Sequence, residues 1–90
     1  MFTLVDYYAD WCGPCQAMRP TLEKFETEYK DKIEIKRVDV DKNEQLAMQA
    51  GIMGIPTFVI SRDGKEVARK SGAMPYEVFK VWADSVFKVT

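Results

Sequence analysis

Ninety residues, 47% apolar and 30% charged, suffice for one modest hydrophobic core and are too few for two. A formal net charge of −1 gives no electrostatic case for nucleic acid or an anionic membrane, and two cysteines cannot build a disulfide-rich scaffold. The expected organisation is a single domain, residues 1–90, with no membrane-spanning segment. No basic leader or cleavage site opens the chain, so a cytoplasmic location is the default.

In chain order, Phe2 to Ala9 reads as a buried central strand, β-branched and aromatic, with one carboxylate, Asp6, among apolar neighbours. Met18, Leu22, Phe25 and Tyr29 then recur at helical spacing, opposite Glu23, Lys24 and Glu26. Pro20 falls inside that helix, where it removes a backbone bond and crowds Gln16, so a kink is expected. A loop at Lys30–Lys32 leads to a second strand, Ile33 to Val40. Asn43 is placed to cap a short helix ending at Ala50, with Gly51 following as the C′ residue. The loop Gly51-Ile52-Met53-Gly54-Ile55-Pro56 runs into a strand from Thr57 to Ser61. Asp63-Gly64 signals a tight hairpin, and Lys65 to Lys70 is the returning strand. After a turn at Ser71–Met74, Pro75 opens a last helix to Lys88, with Phe79, Trp82, Ala83 and Val86 as its apolar stripe. Right-handed crossovers through this βαβαββα order give an α/β fold: a four-stranded mixed sheet in the order 2-1-3-4, flanked by helices.

Between the first strand and the first helix lies Ala9-Asp10-Trp11-Cys12-Gly13-Pro14-Cys15, which holds both cysteines. A helix starting there places Cys12 at its N-terminus, where free N–H groups and the macrodipole favour an anion, and the thiolate is the reactive form of cysteine. Pro14 suits the first turn. Cys15, one turn on, comes within reach of Cys12 on the same face. The pair therefore suits a reversible disulfide. A zinc site needs about four ligands, and a chain with no histidine and no further cysteine could supply one only in part, shared with another chain. Gln16 in place of histidine excludes c-type haem attachment.

Trp-Cys-Gly-Pro-Cys, with the strand and helix pattern around it, resembles the active site of the thioredoxin family across essentially the whole chain. The resemblance implies a thioredoxin-like fold and reduction of protein disulfides, with Cys12 as attacking thiolate and Cys15 as the resolving cysteine. It implies a buried carboxylate at Asp6 that assists proton transfer at Cys15. The alternative is a solvent-facing aspartate. Where the family carries a lysine near this aspartate, the sequence offers Arg37, which cannot give up its proton. The substrate surface implied by resemblance comprises Trp11, Gly13, Pro14, Gly54, Ile55, Pro56, Gly72 and Ala73. Within it, Trp11 shields the site (or else is a core aromatic), and Ile55–Pro56 is a cis bond (or else an ordinary trans proline) whose Ile55 backbone accepts an extended substrate. Gly72-Ala73 lets substrate backbone approach (or else is a plain turn), and Ser71 departs from the family's usual apolar residue. Met53 and Met74 flank these loops as core filler or as an adaptable rim. The family's first strand and helix are not matched, which leaves Ile33–Val38 as an edge carrying Glu34, Lys36 and Arg37.

The expected protein is a protein-disulfide reductase needing no bound cofactor and no metal. It is recycled by a separate reductase, works as a monomer and binds neither nucleic acid nor membrane. Two rivals differ in kind: the same chemistry run as oxidant or isomerase, and a docking module whose cysteines are dispensable.

Overall fold

The computed structural model describes residues 1–89, so the last residue of the expected 1–90 span, Thr90, lies outside it. The elements are β1 (Phe2–Tyr8), α1 (Gly13–Tyr29), β2 (Ile33–Asp39), α2 (Glu44–Gln49), β3 (Thr57–Arg62), β4 (Lys65–Ser71) and α3 (Tyr76–Val89). They form a four-stranded sheet in the order β2-β1-β3-β4. β1 pairs parallel with β2, and the β1/β3 and β3/β4 pairs are antiparallel. This is the βαβαββα topology that the sequence pattern implies.

Helices lie on both faces of the sheet. Leu4, Phe58 and Ile60 pack on α1 and α3 through Met18, Leu22, Phe25, Phe79 and Ala83, all at most 2% exposed. Phe79 meets Phe25 and Phe58 edge-on, with ring centroids 5.0 and 5.1 Å apart, a favoured aromatic geometry. Val59 points the other way, because successive side chains of a strand alternate between faces. Its register partner Arg69 donates to the carbonyls of Ala50 and Gly51 at the end of α2, so α2 lies on that second face.

Local chemistry accounts for most boundaries. Asp63 (φ 51°) and Gly64 (φ 84°) both take positive φ, as a two-residue hairpin with the right twist requires. The hairpin strands run one residue further than their patterns suggest, to Arg62 and Ser71, because strand pairing continues past the apolar positions. Conversely, β2 ends at Asp39 and α2 at Gln49, each one residue short of the sequence reading. Pro75 precedes the last helix, and its carbonyl accepts from Val78 and Phe79. Pro20 is accommodated within α1, which runs unbroken to Tyr29.

One cap differs from expectation. Asn43 occupies the N-cap of α2 but makes no side-chain capping bond there. Its amide instead donates back to the Asp39 carbonyl at 3.1 Å. The carboxylate of Asp39 supplies the turn's acceptor, taking the N–H of Asp41 at 2.9 Å and of Lys42 at 3.4 Å.

Candidate functional site

The end of β1 and the start of α1 fix the cysteines. Cys12 is the N-cap of α1 in extended geometry (φ −85°, ψ 108°), and Pro14 sits in the first turn, where its missing N–H costs nothing. Cys12 and Cys15 form a disulfide with Cα atoms 5.2 Å apart. The Sγ of Cys12 accepts the backbone N–H of Cys15 at 3.1 Å. A sulfur anion at that position would keep this donor and gain the helix N-terminal field. Both cysteines are buried, 4% and 6% exposed, in a small cluster with Ala9, bordered by Tyr8, Val40 and Ile55.

Opposite the disulfide, the Ile55–Pro56 bond is cis. The carbonyl oxygen of Ile55 lies 3.9 Å from Cys12 Sγ, while Pro56 is buried. Two bonds tie this turn to the one after β4, and a third closes the turn on itself. Gly72 N–H donates to the Pro56 carbonyl at 2.8 Å, and Thr57 Oγ1 donates to the Gly54 carbonyl at 2.6 Å. Thr57 has a single hydroxyl proton, so in the 2.9 Å contact between Thr57 Oγ1 and Ser71 Oγ the serine is the donor. Ser71 thus latches the two loops together, which an apolar residue there could not do. Gly72 takes φ +95°, a conformation that side chains rarely adopt. Gly13, Pro14, Gly54 and Ala73 are exposed around the same sulfur pair's end of the molecule. Met53 is fully exposed, and Met74 is half-buried against the core with its N–H on Met18 Sδ.

Trp11 is 70% exposed rather than a core aromatic. Its indole N–H donates to Asp41 Oδ2 at 2.7 Å. Asp41 went unread in the sequence: thirty residues separate the pair, and no local pattern marks it.

Asp6 lies behind the disulfide. In the register of β1 it pairs with Arg37 of β2 and Phe58 of β3, which puts it on the sheet face covered by α1 and α3. It is 5% exposed, and its Oδ1 has no hydrogen-bond partner among the described residues. Burial pushes its pKa from 3.8 up to about 6, against a smaller opposing pull from the guanidinium charges of Arg37 and Arg19. Arg19, on α1, had no place in the sequence reading, because nothing there brings it near Asp6. A cavity of about 330 Å³ joins Asp6, Cys15, Arg19 and Arg37.

A redox-active cysteine pair on a helix N-terminus, faced by a cis-proline turn and backed by a buried carboxylate, defines a thiol–disulfide oxidoreductase. Comparison with known proteins gives its family. The thioredoxin family profile matches residues 1–85. The chain is 38% identical to a thioredoxin of Rhodospirillum rubrum over 81 residues, 90% of this chain and 78% of that one. It is 40% identical to a thioredoxin of Bacillus subtilis (strain 168) over 77 residues, 86% of this chain and 74% of the relative. Among solved structures it superposes on a mutant thioredoxin from Halobacterium salinarum NRC-1 with a TM-score of 0.86 at 35% identity, covering 94% of this chain and 74% of that one. The oxidised mitochondrial thioredoxin 3 of Saccharomyces cerevisiae gives a TM-score of 0.83 at 35% identity, covering 92% and 77%. The chain belongs to the thioredoxin family, and its activity is that of a protein-disulfide reductase working through a reversible Cys12–Cys15 disulfide. Among the described residues no group of three or more His, Cys, Asp or Glu is placed to hold a metal, and no helix is long and apolar enough to cross a membrane.

Proposed function

We propose that Cys12 is the attacking thiolate and Cys15 the resolving cysteine. The observation that carries this is the 3.1 Å bond from the Cys15 N–H to Cys12 Sγ at the first turn of α1. It favours the anion at Cys12 and provides no comparable donor at Cys15. In the cycle, Cys12 thiolate attacks a substrate disulfide and forms a mixed disulfide. Cys15, giving its proton to Asp6, then attacks Cys12 Sγ, and the substrate leaves as a dithiol. Two electrons pass to the substrate and the Cys12–Cys15 disulfide is restored.

Trp11, Gly13, Pro14, Gly54, Ile55, Pro56, Gly72 and Ala73 form the docking surface for an extended substrate segment, with the Ile55 backbone as its hydrogen-bonding edge. Their shared rim supports this reading, as does the latch between the Pro56 and Gly72 turns. The substrates are protein disulfides, and electrons come from a separate thioredoxin reductase. No bound cofactor takes part. The protein works in the cytoplasm as a monomeric domain, with the exposed Glu34, Lys36 and Arg37 of β2 discouraging pairing along the sheet edge.

An insulin-disulfide reduction assay with dithiothreitol, repeated with candidate reductases, tests the reading. Turnover that needs both cysteines is expected. Equal function with serine at both positions would point to a docking module instead, and a strongly oxidising measured potential to an oxidant.

A further inference from the structure

The cavity behind the disulfide has a chemical profile that the docking surface lacks. Its inner end holds Asp6, buried and with an Oδ1 that has no hydrogen-bond partner among the described residues, beside Cys15. Its outer wall holds the exposed side chains of Arg19 from α1 and Arg37 from β2. Tyr8 and Asp10 complete the titratable groups facing it, and Asp10 is the only other acid among the described residues that line it. A ligand that satisfies both ends carries an anion for the two guanidinium groups and a hydrogen-bond donor for Asp6. Cys15 lines this cavity and Cys12 does not, so a nucleophile inside it meets the disulfide from the Cys15 side. Cys15 is also no more enclosed than Cys12, at 6% against 4% exposed.

We propose that this cavity binds small thiols bearing a carboxylate and lets them reduce the oxidised protein by attack at Cys15. This rests on the disulfide-exchange reading above and adds a second entrance to it. The carboxylate is held by Arg19 and Arg37, and the S–H donates to Asp6. As Asp6 takes that proton, the thiol sulfur bonds to Cys15 Sγ, the Cys12–Cys15 bond breaks, and its electron pair leaves on Cys12. The leaving group is the better of the two available, because its anion accepts the Cys15 N–H, and thiols with stabilised thiolates leave faster. A second thiol molecule, losing its proton to solvent, attacks the sulfur of the first. Cys15 departs as thiolate and recovers the proton from Asp6, and Cys12 takes one from solvent. Two thiols and one disulfide have become one small disulfide and the dithiol protein.

The test compares 3-mercaptopropionate with 2-mercaptoethanol as reductants of the oxidised protein, each rate divided by its rate with an unstructured disulfide peptide. A preference for the acid of about tenfold at low salt is expected, falling with ionic strength. It should collapse in Arg19→Gln/Arg37→Gln and persist in Arg62→Gln, which removes a cation at the far end of β3. Equal loss in Arg62→Gln would reduce the effect to net charge and overturn the proposal, as would a preference that survives without Arg19 and Arg37. Single-cysteine variants locate the entrance. The disulfide of 3-mercaptopropionate should outpace hydroxyethyl disulfide in labelling Cys15 of Cys12→Ser, but not Cys12 of Cys15→Ser. The same preference in both variants overturns attack at Cys15. Insulin reduction by the unmodified protein with dithiothreitol is read separately and bears only on the underlying exchange activity.

Discussion

Two carboxylates sink into adjacent strands of the same sheet and meet opposite surroundings. Asp39, the last residue of β2, is 7% exposed and receives the N–H groups of Asp41 and Lys42. Asp6, in the middle of β1, is 5% exposed, and its Oδ1 receives no hydrogen bond from the described residues. A buried polar group without a partner is costly, and hydrogen-bond donors decide whether that cost is met. Where the turn after β2 folds its amides onto the carboxylate, the aspartate is a structural fastener. Where a sheet neighbour and a helix offer guanidinium charges but no hydrogen bond among the described residues, burial pushes the carboxyl up to about 6, near the pH at which it can both take and return a proton. Residue type and depth are shared, so hydrogen bonding separates scaffold from chemistry.

The largest effects test whether a proton acceptor is needed at all. Cys12→Ser should bring insulin reduction to background, because no thiolate remains to open the substrate disulfide. Cys15→Ser should accumulate mixed disulfides with substrate, visible by mass spectrometry and released by dithiothreitol. Trapping by the Cys12→Ser variant instead would exchange the two roles and remove the reason for Asp6 to sit beside Cys15. Next in size, Asp6→Asn should slow exchange by about 10²-fold, the usual scale for losing a positioned base, while Asp39→Asn should slow it far less. Stopped-flow reduction of a disulfide peptide by the two variants decides this. Similar losses would mean that both aspartates act through structure alone.

Stability should then change in opposite directions. Asp39→Ala leaves two turn amides without their acceptor and should cost about 1–2 kcal/mol in denaturant melts. Asp6→Asn keeps the shape and removes an unpartnered buried charge. The folded state of the parent holds this proton up to about pH 6, whereas the unfolded chain releases it near 3.8, so ionisation costs stability as pH rises between those values and the cost is constant above them. Asp6→Asn should therefore match the parent near pH 4 and exceed it by about 1–3 kcal/mol at pH 8. An Asp6→Asn variant less stable than the parent at pH 8 would show a paired Asp6, and the contrast with Asp39 would disappear.

Much of this was open to reading in the sequence because it rests on local rules. Strand and helix order follow from apolar spacing, the hairpin from Asp63-Gly64, and the placement of Cys12 from Pro14 and the strand-to-helix switch. The apolar neighbours of Asp6 were enough to indicate its burial. What escaped was produced by contacts distant in sequence. Arg19 faces Asp6 only because α1 packs across β1, Asp41 reaches Trp11 from a loop thirty residues on, and Ser71 meets Thr57 only once β4 has paired with β3. The cap of α2 was misread for a related reason: Asn43 is a good capping residue, but its amide went back to Asp39, whose carboxylate served the turn.

The smallest effect isolates the electrostatic half of the contrast. Arg37 stands opposite Asp6 in the β1/β2 register, and its positive charge favours the ionised carboxyl without bonding to it. Arg37→Gln should therefore raise the Asp6 pKa further above about 6, read from the side-chain carboxyl carbon shift across a pH titration. The sign carries through to stability. A higher folded pKa enlarges the cost of ionising Asp6, so this variant should lose stability relative to the parent at pH 8 and lose none from this source near pH 4, where Asp6 is protonated in both. Lys36→Gln removes a charge from the neighbouring position of β2, which faces the other way and pairs with Glu34, and it should leave the titration nearly unmoved. Equal shifts in the two variants would make the field at Asp6 a property of overall charge. A downward shift in Arg37→Gln would mean that the guanidinium has been screening solvent from the carboxyl, so that removing it hydrates Asp6 and brings its surroundings closer to those of Asp39.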